Sequence, residues 1–211
     1  MVEISLTAAE SEVEIIEGYK TKVWSYNGQV PGPEIRLQKG DTLKLTLQNN
    51  LPDQTTIHWH GIRLPNEMDG VPGVTQEPIQ SGESFVYEFT PKDTGTYWFH
   101  PHVRGAEQLE RGLYGSIVVE DPEETPLFNS DQVWVLDDWR LDQDAQIDPN
   151  FLLPHDIVHD GRWGNVITVN GKARHESMFS PGERVRLRVI NASNARVYNL
   201  NFEELDANPI A

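Results

Sequence analysis

The stretch "LKLTLQN" (residues 43–49) alternates strictly, with Leu43, Leu45 and Leu47 set against Lys44, Thr46 and Gln48. Side chains on an extended strand point to opposite faces in turn, so a period of two predicts a strand with one buried face. The same period runs through "FVYEF" (85–89), where Phe85, Tyr87 and Phe89 share a face. It returns in "RVRLRVI" (184–190), where Arg184, Arg186 and Arg188 oppose Val185, Leu187 and Val189. "SIVVE" (116–120) and "VWVLDDW" (133–139) read as further strands. Between these runs lie the turn signals "NGQVPGPE", "QKGD", "QSGE", "PKDTG" and "SPGE". Short strands separated by such turns predict an all-β sandwich or barrel. The best helix candidate is a short piece near Ala106–Gly112.

Composition narrows the function. The 211 residues hold 17 Lys plus Arg against 33 Asp plus Glu, a formal charge of −16. That field repels nucleic acid and anionic membrane surfaces. Hydrophobic content of 37% with 24% charge is that of a globular chain. No apolar run approaches the roughly 20 residues of a membrane-spanning helix, and the first residues lack the basic-then-apolar order of a secretory signal. There is no cysteine, so no thiolate nucleophile and no cysteine-ligated blue-copper centre can form from these residues.

An internal echo suggests two copies of one unit. Asn27-Gly28 precedes "QKGDTLKLTLQNN", and Asn170-Gly171 precedes "SPGERVRLRVINA". Between the copies, "EDPEETPLFNSDQ" (120–132) is proline-containing and acidic, as linkers are. The expected organisation is a first domain over 1–122, a linker over 123–132 and a partial second domain over 133–211. The second copy keeps no histidine where the first has two, and it has no partner strands after Phe202. The chain therefore reads as cut within its second domain.

Four of the seven histidines fall in two His-x-His pairs, "TIHWHG" with His58 and His60 and "WFHPHV" with His100 and His102. On a strand, residues i and i+2 share a face about 7 Å apart. Such a pair serves two neighbouring ions, or one ion if the rings converge. Two pairs brought together make a nitrogen-rich site suited to Cu, Zn, Fe or Ni. His155 and His159 have i, i+4 spacing, but their Pro- and Asp-rich surroundings argue against a regular helix and for surface residues. His175 stands alone and reads as structural or surface.

The segments 55–89 ("TTIHWHG…FVYEF") and 93–121 ("DTGTYWFHPHVRG…SIVVED") resemble the first cupredoxin domain of the multicopper oxidases, the family of laccases and bacterial copper-efflux oxidases. "NGQVPGPEIRLQKGDTLKLTLQNNL" is similar to that domain's opening strands, and "RVRLRVINASNARVYNLNF" to the family's middle domain. The resemblance covers nearly the whole chain. It implies a cupredoxin-like Greek-key β-sandwich followed by a second, incomplete one. It also implies copper as cofactor, with His58 on a type 2 ion and His60, His100 and His102 on a type 3 pair. Asp69 in "EMDGVPG" matches a family acid that orients water and helps deliver protons, and Tyr97 resembles a tyrosine-corner packing residue. The implied partners are O2, a phenolic or metal-ion reductant, and a C-terminal cupredoxin domain carrying the His-Cys-His that these residues lack. Without that domain the resemblance implies an inactive oxidase, in a periplasmic or extracellular setting. A stand-alone copper-binding or carrier module is the alternative.

Overall fold

The computed structural model describes residues 1–123 and 127–202. Its strands are β1 (Val2–Val13), β2 (Thr21–Tyr26), β3 (Ile35–Gln38), β4 (Leu43–Asn49), β5 (His58–His60), β6 (Ser84–Phe89), β7 (Gly95–His100), β8 (Gly115–Glu120), β9 (Ser130–Trp139), β10 (Val166–Val169) and β11 (Val185–Asn191). Two short helices interrupt them, α1 (Gly105–Glu110) and α2 (Pro154–Val158), with a 3-10 turn at Asn66–Met68. Helix α1 falls where the sequence placed its best candidate. The expected linker over 123–132 includes 124–126, which lie outside the described residues. Its last three residues, Ser130-Asp131-Gln132, open β9. Residues 203–211, the end of the expected partial second domain, also lie outside the described residues.

Two four-stranded sheets form the first half, ordered β2-β1-β4-β6 and β3-β8-β7-β5. Parallel pairing of β1 with β4 and of β3 with β8 sits beside antiparallel neighbours, as Greek-key crossing between sheets requires. The alternation read from residues 43–49 is realised. Leu43, Leu45 and Leu47 are fully buried, while Lys44, Thr46 and Gln48 are only partly covered. Each such leucine contributes about 1.5–3 kcal/mol through apolar surface removed from water.

The inner faces meet around Trp59, which is completely buried. Its ring packs against Tyr87, Phe89 and Phe99 at centroid separations of 5.7, 5.0 and 5.6 Å, tilted or edge-on as aromatic quadrupoles prefer. This burial sets the site. With Trp59 inward, strand alternation turns His58 and His60 to the other face of β5, and with Phe99 inward it does the same for Trp98 and His100 on β7.

The echo between the halves is repeated hydrogen bond by hydrogen bond. Asn27 and Asn170 both adopt positive φ, 55° and 50°, ahead of a glycine that does the same, the geometry that tight Asn-Gly hairpins need. Asn27 Oδ1 accepts from Thr7 N–H and its Nδ2 donates to the Ser5 carbonyl. Asn170 Oδ1 likewise accepts from Val135 N–H, and its Nδ2 donates to the Val133 carbonyl. Asp41 and Glu183 each accept from the backbone N–H three residues earlier, at Gln38 and Ser180. Asn49 and Asn191 each accept from the N–H two residues on. The three-stranded sheet β10-β9-β11 thus copies β2-β1-β4, including the parallel pairing of its last strand. One alternation departs from its sequence pattern: the Arg188 side chain is largely covered, held by Asp131 and Thr96, while Val189 is exposed.

Candidate metal centre

Strands β5 and β7 run antiparallel in a register that sets His58 opposite His100, Trp59 opposite Phe99 and His60 opposite Trp98. Pro101 follows β7 and lacks an N–H for the ladder. His102 lies one residue beyond, where its own N–H donates to Thr56 Oγ1 at 3.2 Å. The His58 ring stands 5.7 Å from His60, 5.4 Å from His100 and 4.9 Å from His102, centroid to centroid. The rings of His60 and His100 are 5.5 Å apart, with His60 Nδ1 and His100 Nε2 at 3.2 Å. The two pairs therefore converge on one another, closer than the 7 Å spacing of ideal strand positions. Ligand atoms of His58, His60 and His100 all lie within 4.8 Å of one another.

Two backbone carbonyls choose which nitrogens are free. A carbonyl can only accept, so His58 Nδ1 donates to the Asp69 carbonyl at 2.8 Å and leaves Nε2 with its lone pair. By the same logic His100 Nδ1 donates to the Pro101 carbonyl at 3.0 Å, and its Nε2 faces His60. Such bonds to the second ring nitrogen fix tautomer and ring orientation in metal-binding histidines. Trp98 lies against the rings of His60 and His100, with centroids at 5.1 and 4.3 Å, and limits their rotation.

The surroundings of His60, His100 and His102 favour the neutral ring. Burial, then the neighbouring His58, His60 and His102, pushes His100 down from 6.5 to about 4. Burial followed by His58 and His102 lowers His60, and burial followed by His58 lowers His102, with Asp69 opposing. A neutral imidazole is the form that ligates, so these shifts favour a cation over protons. They also link stability to pH. The folded pKa of His100 lies below its unfolded value, so the unfolded chain binds more protons as the solution is acidified. The contribution of His100 is complete above about pH 6.5 and is lost as pH falls towards about 4, on the order of 2–3 kcal/mol for a partly covered ring. Carboxylates held down by arginines, such as Asp131, lose their contribution at still lower pH. Urea titrations between pH 7 and 4.5 should show a clear loss in the metal-free chain and a smaller one in His100→Asn. Equal slopes in the two would contradict the assignment.

Asp69 enters the site chiefly through its main chain. Its carboxylate Oδ1 is 3.4 Å from His58 Nδ1, and its side chain is one-third exposed. The segment is held there by Gly70, whose φ is +75°; a Cβ on it would sit 1.8 Å from the Ile57 carbonyl oxygen. On the core side, Ile57 N–H donates to the Tyr87 hydroxyl at 2.8 Å. Gly70, Tyr87, Thr56 and Trp98 were not singled out as site residues from sequence; the visible signals were the Asp-Gly turn and the aromatics beside each His pair. Tyr97 takes the packing role expected of it, its hydroxyl donating to the Thr94 carbonyl at 3.1 Å. His175 lies outside the helices and strands, bonds Ser177 Oγ at 2.9 Å and stands edge-on to Trp134 of β9. His155 and His159 lie on and just after α2, a correction to the expectation of irregular backbone. Pro154 suits the first helical turn, and Asp156 is anchored by Arg140.

A β-sandwich that gathers four imidazoles at one place offers a nitrogen donor set suited to first-row transition metals, copper among them. The multicopper oxidase family model matches residues 7–124. A copper resistance protein A homolog of Pseudomonas syringae pv. tomato is 31% identical over 99% of this chain and 42% of its own length. Dihydrogeodin oxidase of Aspergillus terreus is 35% identical over 98% of the chain and 37% of its own. The crystal structure of a multi-copper oxidase from Pseudomonas thermotolerans superposes with a TM-score of 0.83 at 39% identity, covering 93% of this chain and 48% of that one. The chain belongs to the multicopper oxidase family, whose fold is cupredoxin-like and whose cofactor is copper. It spans about two fifths of the length of these curated relatives.

Proposed function

We propose that this chain supplies one wall of a copper cluster that reduces O2 to water with electrons from a phenolic or metal-ion reductant. His58 would hold a type 2 copper, and His60, His100 and His102 a type 3 pair. The further ligands, and a type 1 centre with its cysteine, would come from a C-terminal cupredoxin domain outside these residues, in the same polypeptide or another. The observation that carries this reading is the convergence of four imidazoles from two neighbouring strand ends, with ring centroids 4.9 to 5.9 Å apart around His58 and His100. When bound, copper supplies one-electron redox chemistry and the site at which O2 is reduced.

The chain's own residues have distinct tasks. The Asp69 carbonyl holds the His58 ring so that Nε2 faces the cluster. The Asp69 carboxylate is partly exposed beside that ring, so it can pass protons from solvent into a reaction that consumes them. Trp98 and the Pro101 carbonyl fix His100. A first domain over 1–122 and a second over 133–211, the latter extended back to Ser130 where β9 begins, complete the proposal with a periplasmic or extracellular setting.

Oxygen uptake tests it. The copper-loaded chain alone should consume O2 with a phenolic reductant at no more than the rate of free copper. Addition of a C-terminal portion carrying His-Cys-His should restore turnover. Robust turnover by the pure chain would overturn the division of ligands. Tight copper binding with no gain on complementation would favour a copper carrier.

A further inference from the structure

Outside the cluster, His155 and His159 are the chain's other paired imidazoles, and the proposed function leaves them unused. His159 N–H donates to the His155 carbonyl at 3.1 Å, the i to i+4 bond of a helical turn. That turn puts both side chains on one face, with ring centroids 4.5 Å apart. Both residues are exposed, His155 with 78% of its side chain in solvent. The turn beneath them is anchored. The Asp156 carboxylate, almost fully covered, takes hydrogen bonds from Arg140 Nη1 and Nη2 at 2.7 and 3.1 Å. Asp156 is thereby committed to Arg140, and its Oδ1 lies 3.8 Å from His155 Nδ1, which leaves the opposite ring nitrogen facing outward.

We propose that His155 and His159 form a surface chelate for a divalent first-row transition-metal ion, with Cu2+ the tightest, separate from the four-histidine cluster. Two imidazoles held one helical turn apart bind an ion together, because the second binds at a high effective concentration once the first has bound. Imidazole nitrogen suits Cu2+, Ni2+ and Zn2+, and affinity among them peaks at Cu2+. The strongly acidic chain, at −16, raises the local concentration of any cation. Water completes the coordination, so the site is exchangeable and weaker than the cluster.

Titration of the full chain with Cu2+ by equilibrium dialysis tests the chelate. The parent should bind a weaker equivalent beyond those of the cluster, and His155→Asn/His159→Asn should lose that equivalent while keeping the tighter ones. Each single variant should weaken it by about tenfold or more, as loss of a chelate arm does. Unchanged stoichiometry in the double variant, or only about twofold weakening in the single ones, as for independent rings, overturns the proposal. A readout on the unaltered chain is paramagnetic broadening of the His155 and His159 ring protons by substoichiometric Cu2+ once the cluster is filled. Broadening of both together supports the chelate, and its absence overturns it.

Discussion

Gly70→Ala is expected to cost on the order of 3 kcal/mol or more and to disable the metal centre, because the new methyl meets main chain rather than a movable side chain. Its Cβ would lie 1.8 Å from the Ile57 carbonyl oxygen and 2.5 Å from the carbonyl carbon, so either the 69–70 turn or the start of β5 must move. The left-handed backbone at φ +75° adds about 1–2 kcal/mol of strain for any residue with a Cβ. Either movement pulls the Asp69 carbonyl from His58 Nδ1 and frees the ring to rotate or change tautomer. Gly73→Ala is the control: φ is +69° and a Cβ there meets nothing within 4 Å, so it carries the strain without the collision. Urea unfolding and Cu2+ titration of both variants separate the contributions. Matching losses in the two would show that the contact with Ile57 is unimportant.

His100→Ala is expected to lower the affinity of the cluster for Cu2+ by more than about 100-fold, beyond the loss that outer-shell changes produce. His100 is largely covered, and its Nε2 faces His60 Nδ1 at 3.2 Å. Its removal also deprives Trp98 of the ring it covers most closely. The fold should survive, since truncation removes a neutral side chain from the outer face of β7 and leaves Phe99 and Trp59 packed beneath. His175→Ala, at a residue bonded to Ser177, should leave affinity unchanged. A chelator competition assay measures the difference, and an affinity within a fewfold of the parent would remove His100 from the ligand set.

Much of this was legible in the sequence because it depends on local periodicity. Strand β4 follows from alternating leucines, and the two Asn-Gly hairpins follow from a dipeptide suited to positive φ. The His-x-His pairs announce their shared face, and Trp59 and Phe99 between and beside them announce which face is buried. What stayed hidden depends on contacts between segments. Nothing local says that Gly70 touches Ile57, or that Asp69 acts on His58 through its carbonyl, because main-chain roles leave no mark on residue choice. The turn at α2 was missed for a related reason. Pro154 and Asp156 discourage a helix interior, yet Pro154 stands at the first turn and Asp156 is secured by Arg140, distant in sequence. The burial of Arg188 beneath a more exposed Val189 likewise depends on Asp131 and Thr96 in other strands.

The central claim is that the four imidazoles gathered at the ends of β5 and β7 hold copper. Pulsed electron paramagnetic resonance of the Cu2+-loaded chain with 15N-labelled histidine tests it most directly, with His155 and His159 replaced by asparagine to silence the surface pair. Couplings from several imidazole nitrogens are predicted, and they should disappear in His58→Ala/His100→Ala. The same couplings persisting after that double substitution would contradict the account.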